Sequence, residues 1–164
     1  MLKGKIVSLM NEQITKELES AYLYLGFANY FKEKGLNGFA HWYCVQADEE
    51  VDHARRFIDY LHDNCETVVL KEIEVLDTDF EDDMCVLTKG LKHEMYVTSL
   101  INNIYKEALD TEDYRTMFFL DWFIDEQLEE EKNAQDLIDM YNNFVCDCGC
   151  SLFEIDQELA KREA

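Results

Sequence analysis

Six side chains that could bind a metal recur at matched spacings in the two halves of the chain. Glu17 is followed 33 residues later by Glu50, and His53 comes three residues after that. Residues three apart project from the same side of a helix. The spacing therefore predicts two helical hairpins whose polar side chains converge. A shift of 77 residues leads from the first set to the second, formed by Glu94, Gln127 and Glu130.

Acids that face a protein core need compensation. A buried, ionised carboxylate without a partner costs on the order of several kcal/mol, and no arginine or lysine shares the predicted inward faces. A multivalent cation would compensate the four glutamates together, whereas protonated or hydrogen-bonded core acids are the alternative. Oxygen-rich ligands with one imidazole suit iron or manganese better than a thiolate-preferring metal.

The elements that must position these residues are long helices. The chain has no proline and only six glycines, which favours helices without interruption. The segment 65–81 is predicted as a crossover, and 151–163 as a short fifth helix. The expected fold is one all-α domain over 1–164, an antiparallel four-helix bundle with a long crossover between its second and third helices. The four long helices are expected at roughly 4–33, 37–64, 82–109 and 112–143.

Helical phase predicts which residues face inward. At about 100° per residue, Glu17 shares a stripe with apolar residues that include Leu25, while Glu19 falls on the opposite side. In the third helix, Glu94 lies in a stripe that runs on to Leu109. Each long helix therefore contributes at least one acid to the predicted core.

Composition limits the classes of partner. The formal net charge of -21 argues against nucleic acid or an anionic membrane and favours attraction of cations. A content of 48% hydrophobic and 13% aromatic residues argues against disorder. No signal peptide and no membrane-spanning stretch is expected, which predicts a cytoplasmic protein with free thiols.

Four motifs extend the pattern over essentially the whole chain. They read "MNEQITKELESAYLY", "DEEVDH", "LKHEMYVT" and "FLDWFIDEQLEEEK". Taken together, they resemble the non-haem ferritins of bacteria, which belong to the ferritin-like di-iron family. The resemblance implies a ferroxidase: Fe(II) is oxidised by O2 or H2O2 at a pair of iron sites and stored as a hydrated ferric oxide.

The resemblance also assigns roles to residues. Glu50 would bridge the two irons, Glu17 and His53 would complete one site, and Glu94 with Glu130 the other. Gln127 would sit beside the second iron and contribute mainly by hydrogen bonding.

Similarity to this family further suggests a third iron site. It would be formed by Glu49, Glu126 and Glu129, with Glu130 shared. The resemblance also implies a place beside the iron pair for Tyr24, with a role in supplying electrons, and for Trp122. Plain core packing is the alternative for both aromatic residues.

Departures separate this chain from two related families. Val51 stands where bacterioferritins carry a haem-ligating methionine, and Gln127 and Glu130 replace their second E-x-x-H, so no haem is expected. The paired C-x-x-C motifs of a rubrerythrin are absent. The resemblance implies a homo-oligomeric cage of 24 subunits.

Other hypotheses and residues stay open. The chain could be a di-iron oxidase or peroxidase that stores little iron, or a non-catalytic helical shell with a structural cation. The stretch "VCDCGC" at 145–150 predicts a turn with incidental cysteines, or else soft-metal binding, iron traffic or an intersubunit disulfide. His41, His62 and His93 are expected to be surface or packing residues.

Overall fold

Five α-helices follow one another in the computed structural model, which describes residues 2–74, 79–145 and 150–163, without the side chain of Cys150. The four long helices begin and end within two residues of the predicted bounds, whereas the fifth ends four residues earlier than predicted. The all-α bundle with a short fifth helix is therefore confirmed. The helices are α1 (Gly4–Glu33), α2 (Asn37–Asp63), α3 (Asp83–Asp110), α4 (Tyr114–Phe144) and α5 (Cys150–Leu159).

Local sequence explains where the long helices start and stop. Gly35, which follows the C-cap residue Lys34 of α1, has a φ of +79°, a left-handed conformation that glycine adopts without a steric penalty. Asp82 accepts a hydrogen bond from the Cys85 amide at the start of α3, and Asp113 accepts one from the Thr116 amide at the start of α4. These aspartates satisfy amide groups that the first helical turn leaves unpaired.

The crossover between α2 and α3 lies over the outer side of α1. Asn11 holds it there, because its amide nitrogen donates to the Thr67 carbonyl at 3.2 Å and its side-chain oxygen accepts from the Val69 amide at 2.6 Å. The Lys71 ammonium also lies 3.4 Å from a carboxylate oxygen of Glu12. Consequently α1 is covered on two sides.

The bundle has two apolar cores with a polar layer between them. One core contains Phe27, Phe31 and Phe39, and the other contains Met10, Phe57 and Ile101. Along each long helix, the inward acids fall between the residues of one core and those of the other. The helices therefore carry the candidate ligands to the middle of the bundle and seal them at both ends with apolar side chains.

Three helical-phase predictions are wrong. Leu25 and Leu109 are 47% and 55% exposed, because steps of four residues advance the side chain by about 40° around the helix and carry the predicted stripe off the buried face. Glu19, predicted on the outer side, is buried and pairs with Lys16 at 2.6 Å. Its burial follows from the crossover and α3, which cover that side of α1.

The fifth helix docks against the start of α2. The Asp156 carboxylate accepts hydrogen bonds from the amides of Gly38 at 2.7 Å and Phe39 at 3.0 Å. A Cβ atom on residue 38 would overlap the backbone carbonyl of Asp156. Docking therefore depends on a carboxylate in α5 and on a glycine in α2.

The remaining predictions concern cysteines and membranes. Cys44, Cys65 and Cys85 are free thiols, as expected. Cys146 and Cys148 of the "VCDCGC" stretch lie outside the described residues, as does the side chain of Cys150. Among the helices that the structure describes, none is both long and apolar enough to span a membrane.

Candidate metal centre

The six residues picked out by spacing meet in the polar layer of the bundle. Each exposes at most 4% of its surface. They divide into two groups, which we call the α1–α2 half (Glu17, Glu50 and His53) and the α3–α4 half (Glu94, Gln127 and Glu130). Matched spacing in the sequence has therefore placed matched sets of side chains in one buried region.

The α1–α2 half has the geometry of a cation site. One ligand atom from each of its three residues lies within 4.8 Å of the other two, and His53 Nδ1 lies 3.4 Å from Glu50 Oε2. Gln13 donates to Glu17 Oε1 at 2.9 Å. The other oxygen, Glu17 Oε2, is buried and has no hydrogen-bond partner among the described residues.

That unpartnered oxygen tests whether a metal fits. Buried polar atoms almost always have a partner, and leaving one without costs about 1–3 kcal/mol. A cation between Glu17, Glu50 and His53 would provide the missing partner, and the donor set suits iron. The residues present therefore fit a metal ion.

The α3–α4 half is held by hydrogen bonds within the protein. The Tyr24 hydroxyl donates to Glu94 Oε1, and Gln127 Nε2 donates to Glu94 Oε2 at 3.3 Å and to Thr98 Oγ1 at 3.2 Å. Gln46 Nε2 donates to Glu130 Oε2 at 2.6 Å. Each carboxylate in this half has at least one protein donor.

Burial and mutual repulsion raise the carboxyl pKa values across the layer. Burial, and then the neighbouring Glu50, raise the pKa of Glu17. Burial, and then Glu94 and Glu130, raise the pKa of Glu50. Burial, and then Glu94, raise the pKa of Glu130 to about 8. Without a cation the layer therefore retains protons at neutral pH, and a bound cation must displace them.

A second group of potential ligands adjoins the first. His53, Glu126 and Glu130 each offer one atom within 4.8 Å of the others, with His53 Nε2 at 3.8 Å from Glu126 Oε1. The other two residues suggested for a third site do not belong to this group: Glu49 pairs with Arg162, and Glu129 is exposed. The structure thus brings together part of the suggested set.

Known proteins identify the family. The ferritin-like domain model matches residues 7–143. The chain belongs to the ferritin family.

Individual relatives agree over nearly the whole length. The bacterial non-heme ferritin of Staphylococcus haemolyticus is 35% identical over 162 residues, covering 99% of this chain and 97% of the relative. That of Campylobacter jejuni is 34% identical over 157 residues, covering 96% and 93%. The open-pore ferritin of the archaeon Archaeoglobus fulgidus superimposes with a TM-score of 0.96 at 33% identity, covering 99% of this chain and 100% of the other.

Aromatic rings border the polar layer of this ferritin. The Tyr24 ring stacks on Tyr43 with centroids 5.8 Å apart, and Trp122 meets His53 edge-on at 5.5 Å. Burial, and then Glu94, raise the pKa of Tyr24 well above its usual range, so its hydroxyl stays protonated as the donor to Glu94. Both residues border the candidate ligands; their place beside an iron pair and the electron-supplying role stay predictions.

The three remaining histidines lie outside both ligand groups. His93 Nε2 lies 2.7 Å from Ser20 Oγ, and its ring packs edge-on against Tyr24. His41 hydrogen-bonds through Nε2 with the Arg162 carbonyl at 2.9 Å, and His62 is exposed. These are surface and packing positions.

Sequence reasoning missed several residues that hold the ligands. Gln13 and Gln46 each precede an inward glutamate by four residues, so their spacing on the helix could have revealed them. Thr98 follows Glu94 by four residues in the same way. Arg162 carries no comparable signal, because it reaches the site from the far end of the chain.

Proposed function

We propose that this ferritin stores iron and oxidises it. Fe(II) is the substrate, and it is bound in pairs at the polar layer and oxidised by O2 or H2O2. The Fe(III) product then collects as a hydrated oxide inside a homo-oligomeric shell of 24 chains. The observation that carries the proposal is the buried Glu17 Oε2, which finds no partner in the part of the chain that the structure describes and lies within a three-residue donor group.

The proposed ligand roles follow the two halves. Glu17 and His53 bind one Fe(II), Glu94 and Glu130 bind the other, and Glu50 is shared between them. Gln127 hydrogen-bonds to Glu94 and thereby supports the second position. The buried surroundings exclude bulk water and hold the ligands in place before the metal arrives, which lowers the reorganisation needed on binding.

The overall reaction balances as an electron transfer. Two Fe(II) ions release two electrons, and O2 takes up those electrons with two protons to form H2O2. When H2O2 is the oxidant, the same two electrons and two protons give two water molecules. The protons that the carboxyl groups lose on binding Fe(II) are released close to the reaction.

The overall charge supports the supply of substrate. A formal net charge of -21 attracts Fe(II) to the protein from a distance. Two of the ligands suggested for a third iron, Glu126 and Glu130, adjoin His53, whereas Glu49 is paired with Arg162 and Glu129 is exposed. Glu126 would lie on the path by which iron leaves the paired site.

Aerobic addition of Fe(II) tests the proposal. The parent protein is expected to oxidise Fe(II) rapidly, followed by ferric-oxo absorbance, and to retain far more than two irons per chain in a soluble particle. Light scattering should give a particle of 24 times the 19.4 kDa chain mass. Glu50→Ala should abolish rapid oxidation, whereas Asp48→Ala, which removes an exposed acid two residues away, should not.

Other results would contradict the proposal in distinct ways. Rapid oxidation with only about two irons held per chain would indicate a di-iron oxidase or peroxidase. Binding of a cation without oxidation would indicate a structural metal in a helical shell. If Glu50→Ala oxidised Fe(II) as fast as the parent, the site would be misplaced.

A further inference from the structure

Arg162, beyond the end of α5, reaches back to the helix that carries the bridging glutamate. Its guanidinium carbon lies 4.2 Å from the centre of the Trp42 ring. One guanidinium nitrogen donates to the Trp42 carbonyl at 3.3 Å and to Gln46 Oε1 at 2.9 Å. The other donates to Glu49 Oε2. The side chain of Arg162 is only 16% exposed, so these contacts form a largely desolvated arrangement.

Gln46 connects Arg162 to the metal centre. Its amide group is 1% exposed. It accepts from Arg162 through Oε1 and donates from Nε2 to Glu130 Oε2. Because arginine has only donors, the contact with Arg162 determines which end of the Gln46 amide faces Glu130. The orientation of Glu130 therefore depends on a residue near the carboxyl end of the chain.

Glu49 is held by the same guanidinium. Its carboxylate pairs with Arg162, and the two side chains are only 30% and 16% exposed. The carboxylate also interacts electrostatically with His53 and Glu126, which belong to the adjoining group with Glu130. Arg162 thus supplies the positive charge that a metal ion would otherwise supply to Glu49.

We infer that Arg162 is a positioning residue that keeps Glu49 from binding a metal and holds Gln46 against Glu130. The inference rests on the proposed function, because it concerns the same site. While Arg162 is in place, we therefore expect the chain to bind two cations tightly rather than three. The segment after α5 thereby limits how much metal the centre holds.

Anaerobic titration with Co(II) tests the inference, because the visible spectrum of Co(II) reports both the number of sites and their ligands. The parent is expected to bind two ions tightly per chain, and Arg162→Gln is expected to bind a third. Adding Glu49→Gln to that variant should return the number to two. Lys161→Gln is the matched control. It removes one positive charge from the neighbouring residue, whose side chain forms an exposed ion pair with Glu158.

Arg162→Lys separates the two tasks of the arginine. Lysine keeps a positive charge beside Glu49 but lacks the planar fork that reaches Gln46 and the Trp42 carbonyl together. This variant should bind two Co(II) ions, like the parent, yet oxidise Fe(II) about tenfold more slowly because Glu130 is less well held. It also serves as the test if Arg162→Gln fails to assemble.

Each contrary outcome has a defined meaning. Two ions in both the parent and Arg162→Gln, with equal spectra, would overturn the role of Arg162 and leave the proposed function standing. Tight binding of three Co(II) ions by the parent would show that Arg162 does not keep Glu49 from binding a metal. A parent that binds no Co(II) tightly would overturn the proposed function itself, and the inference with it. Parent-like oxidation by Arg162→Lys would contradict the link through Gln46.

Discussion

The two halves of the metal centre share one spacing but differ in how their oxygens are satisfied. In the α1–α2 half, Glu17 Oε2 is buried and no described residue hydrogen-bonds to it. In the α3–α4 half, Tyr24 and Gln127 donate to Glu94, and Gln46 donates to Glu130. The first half thus needs a cation, or a proton held between Glu17 and Glu50, whereas the second is satisfied by donors from the protein.

This difference predicts an order of binding. A cation that enters the α1–α2 half fills an unsatisfied position and breaks few existing contacts. A cation that enters the α3–α4 half must compete with hydrogen bonds already made to Glu94 and Glu130. The first cation should therefore bind in the α1–α2 half, and the second should bind more weakly.

The largest expected effects come from two separate variants, each of which removes one ligand from one half. Glu17→Ala should weaken binding of the first cation by about 100-fold or more, because it removes a ligand outright. Glu94→Ala should leave one tight Co(II) ion per chain. Both variants should lose rapid Fe(II) oxidation, which needs the pair. Anaerobic Co(II) titration measures the difference, and an equal loss in both variants would contradict the order of binding.

Isosteric neutralisation should stabilise the metal-free protein in the α1–α2 half and change its stability little in the α3–α4 half. Glu17→Gln gives the unpartnered position a permanent donor that can face Glu50, and should stabilise by about 1–3 kcal/mol at a pH high enough to ionise Glu17 in the parent. Glu94→Gln can turn its amide oxygen to Gln127 Nε2 and its NH2 to the Tyr24 hydroxyl oxygen, which accepts as well as donates, so it should change the stability little.

Thermal unfolding in the presence of a chelator measures this pair of changes. The exposed Asp48→Asn, on the same helix as Glu50, controls for the loss of one negative charge. Shifts of the same size in Glu17→Gln and Glu94→Gln would show that the two halves are equally satisfied.

Tyr24→Phe should act on one half alone. It removes the hydroxyl that donates to Glu94 and preserves the ring that stacks on Tyr43. Because one of the competing hydrogen bonds is gone, we expect about tenfold tighter binding of the second cation and unchanged binding of the first. Tyr43→Phe is the matched control, and a weaker first cation in Tyr24→Phe would mean that the halves are not independent.

The smallest expected effect is a pH dependence. The pKa of Glu130 is raised from 4.5 to about 8 by burial and then by Glu94, so the folded, metal-free protein holds a proton that the unfolded chain releases. The contribution of Glu130 to the stability of the metal-free protein should therefore be greatest below pH 4.5. It should fall as the pH rises towards about 8.

Glu130→Gln isolates this contribution, because it cannot ionise. With a chelator present, the melting temperature of the parent should fall between about pH 5 and about pH 8. That of Glu130→Gln should fall by a few degrees less over the same interval. An identical pH profile in the two proteins would show that Glu130 is not the group responsible.

The sequence predicts the long helices and the inward ligands well because both depend on local periodicity. The absence of proline and the apolar stripes set the helix bounds, and the matched spacing selects six residues that all prove to be buried. That spacing does not reveal that Glu17 Oε2 lacks a hydrogen-bond partner among the described residues, or that both oxygens of Glu94 accept hydrogen bonds. Both features depend on which neighbours, such as Tyr24, reach across from other parts of the bundle.

The wrong and missing predictions also arise from contacts between distant parts of the chain. Glu19 is buried because the crossover and α3 cover that side of α1, and its own helix carries no sign of this. Leu109 is exposed because regular four-residue steps drift around the helix. Arg162 meets Glu49 across 113 positions in the chain, a separation that no local pattern encodes.

The close contact between Gly38 and Asp156 has a consequence for proteolysis. Because a Cβ at position 38 would overlap the Asp156 carbonyl, Gly38→Ala should push α5 off the bundle. The bonds after Lys161 and Arg162 would then open to trypsin, and cleavage is fastest where a segment unfolds locally. The rate at which trypsin shortens the chain is thus a direct gauge of how firmly its end is docked, and a single methyl group is enough to change it.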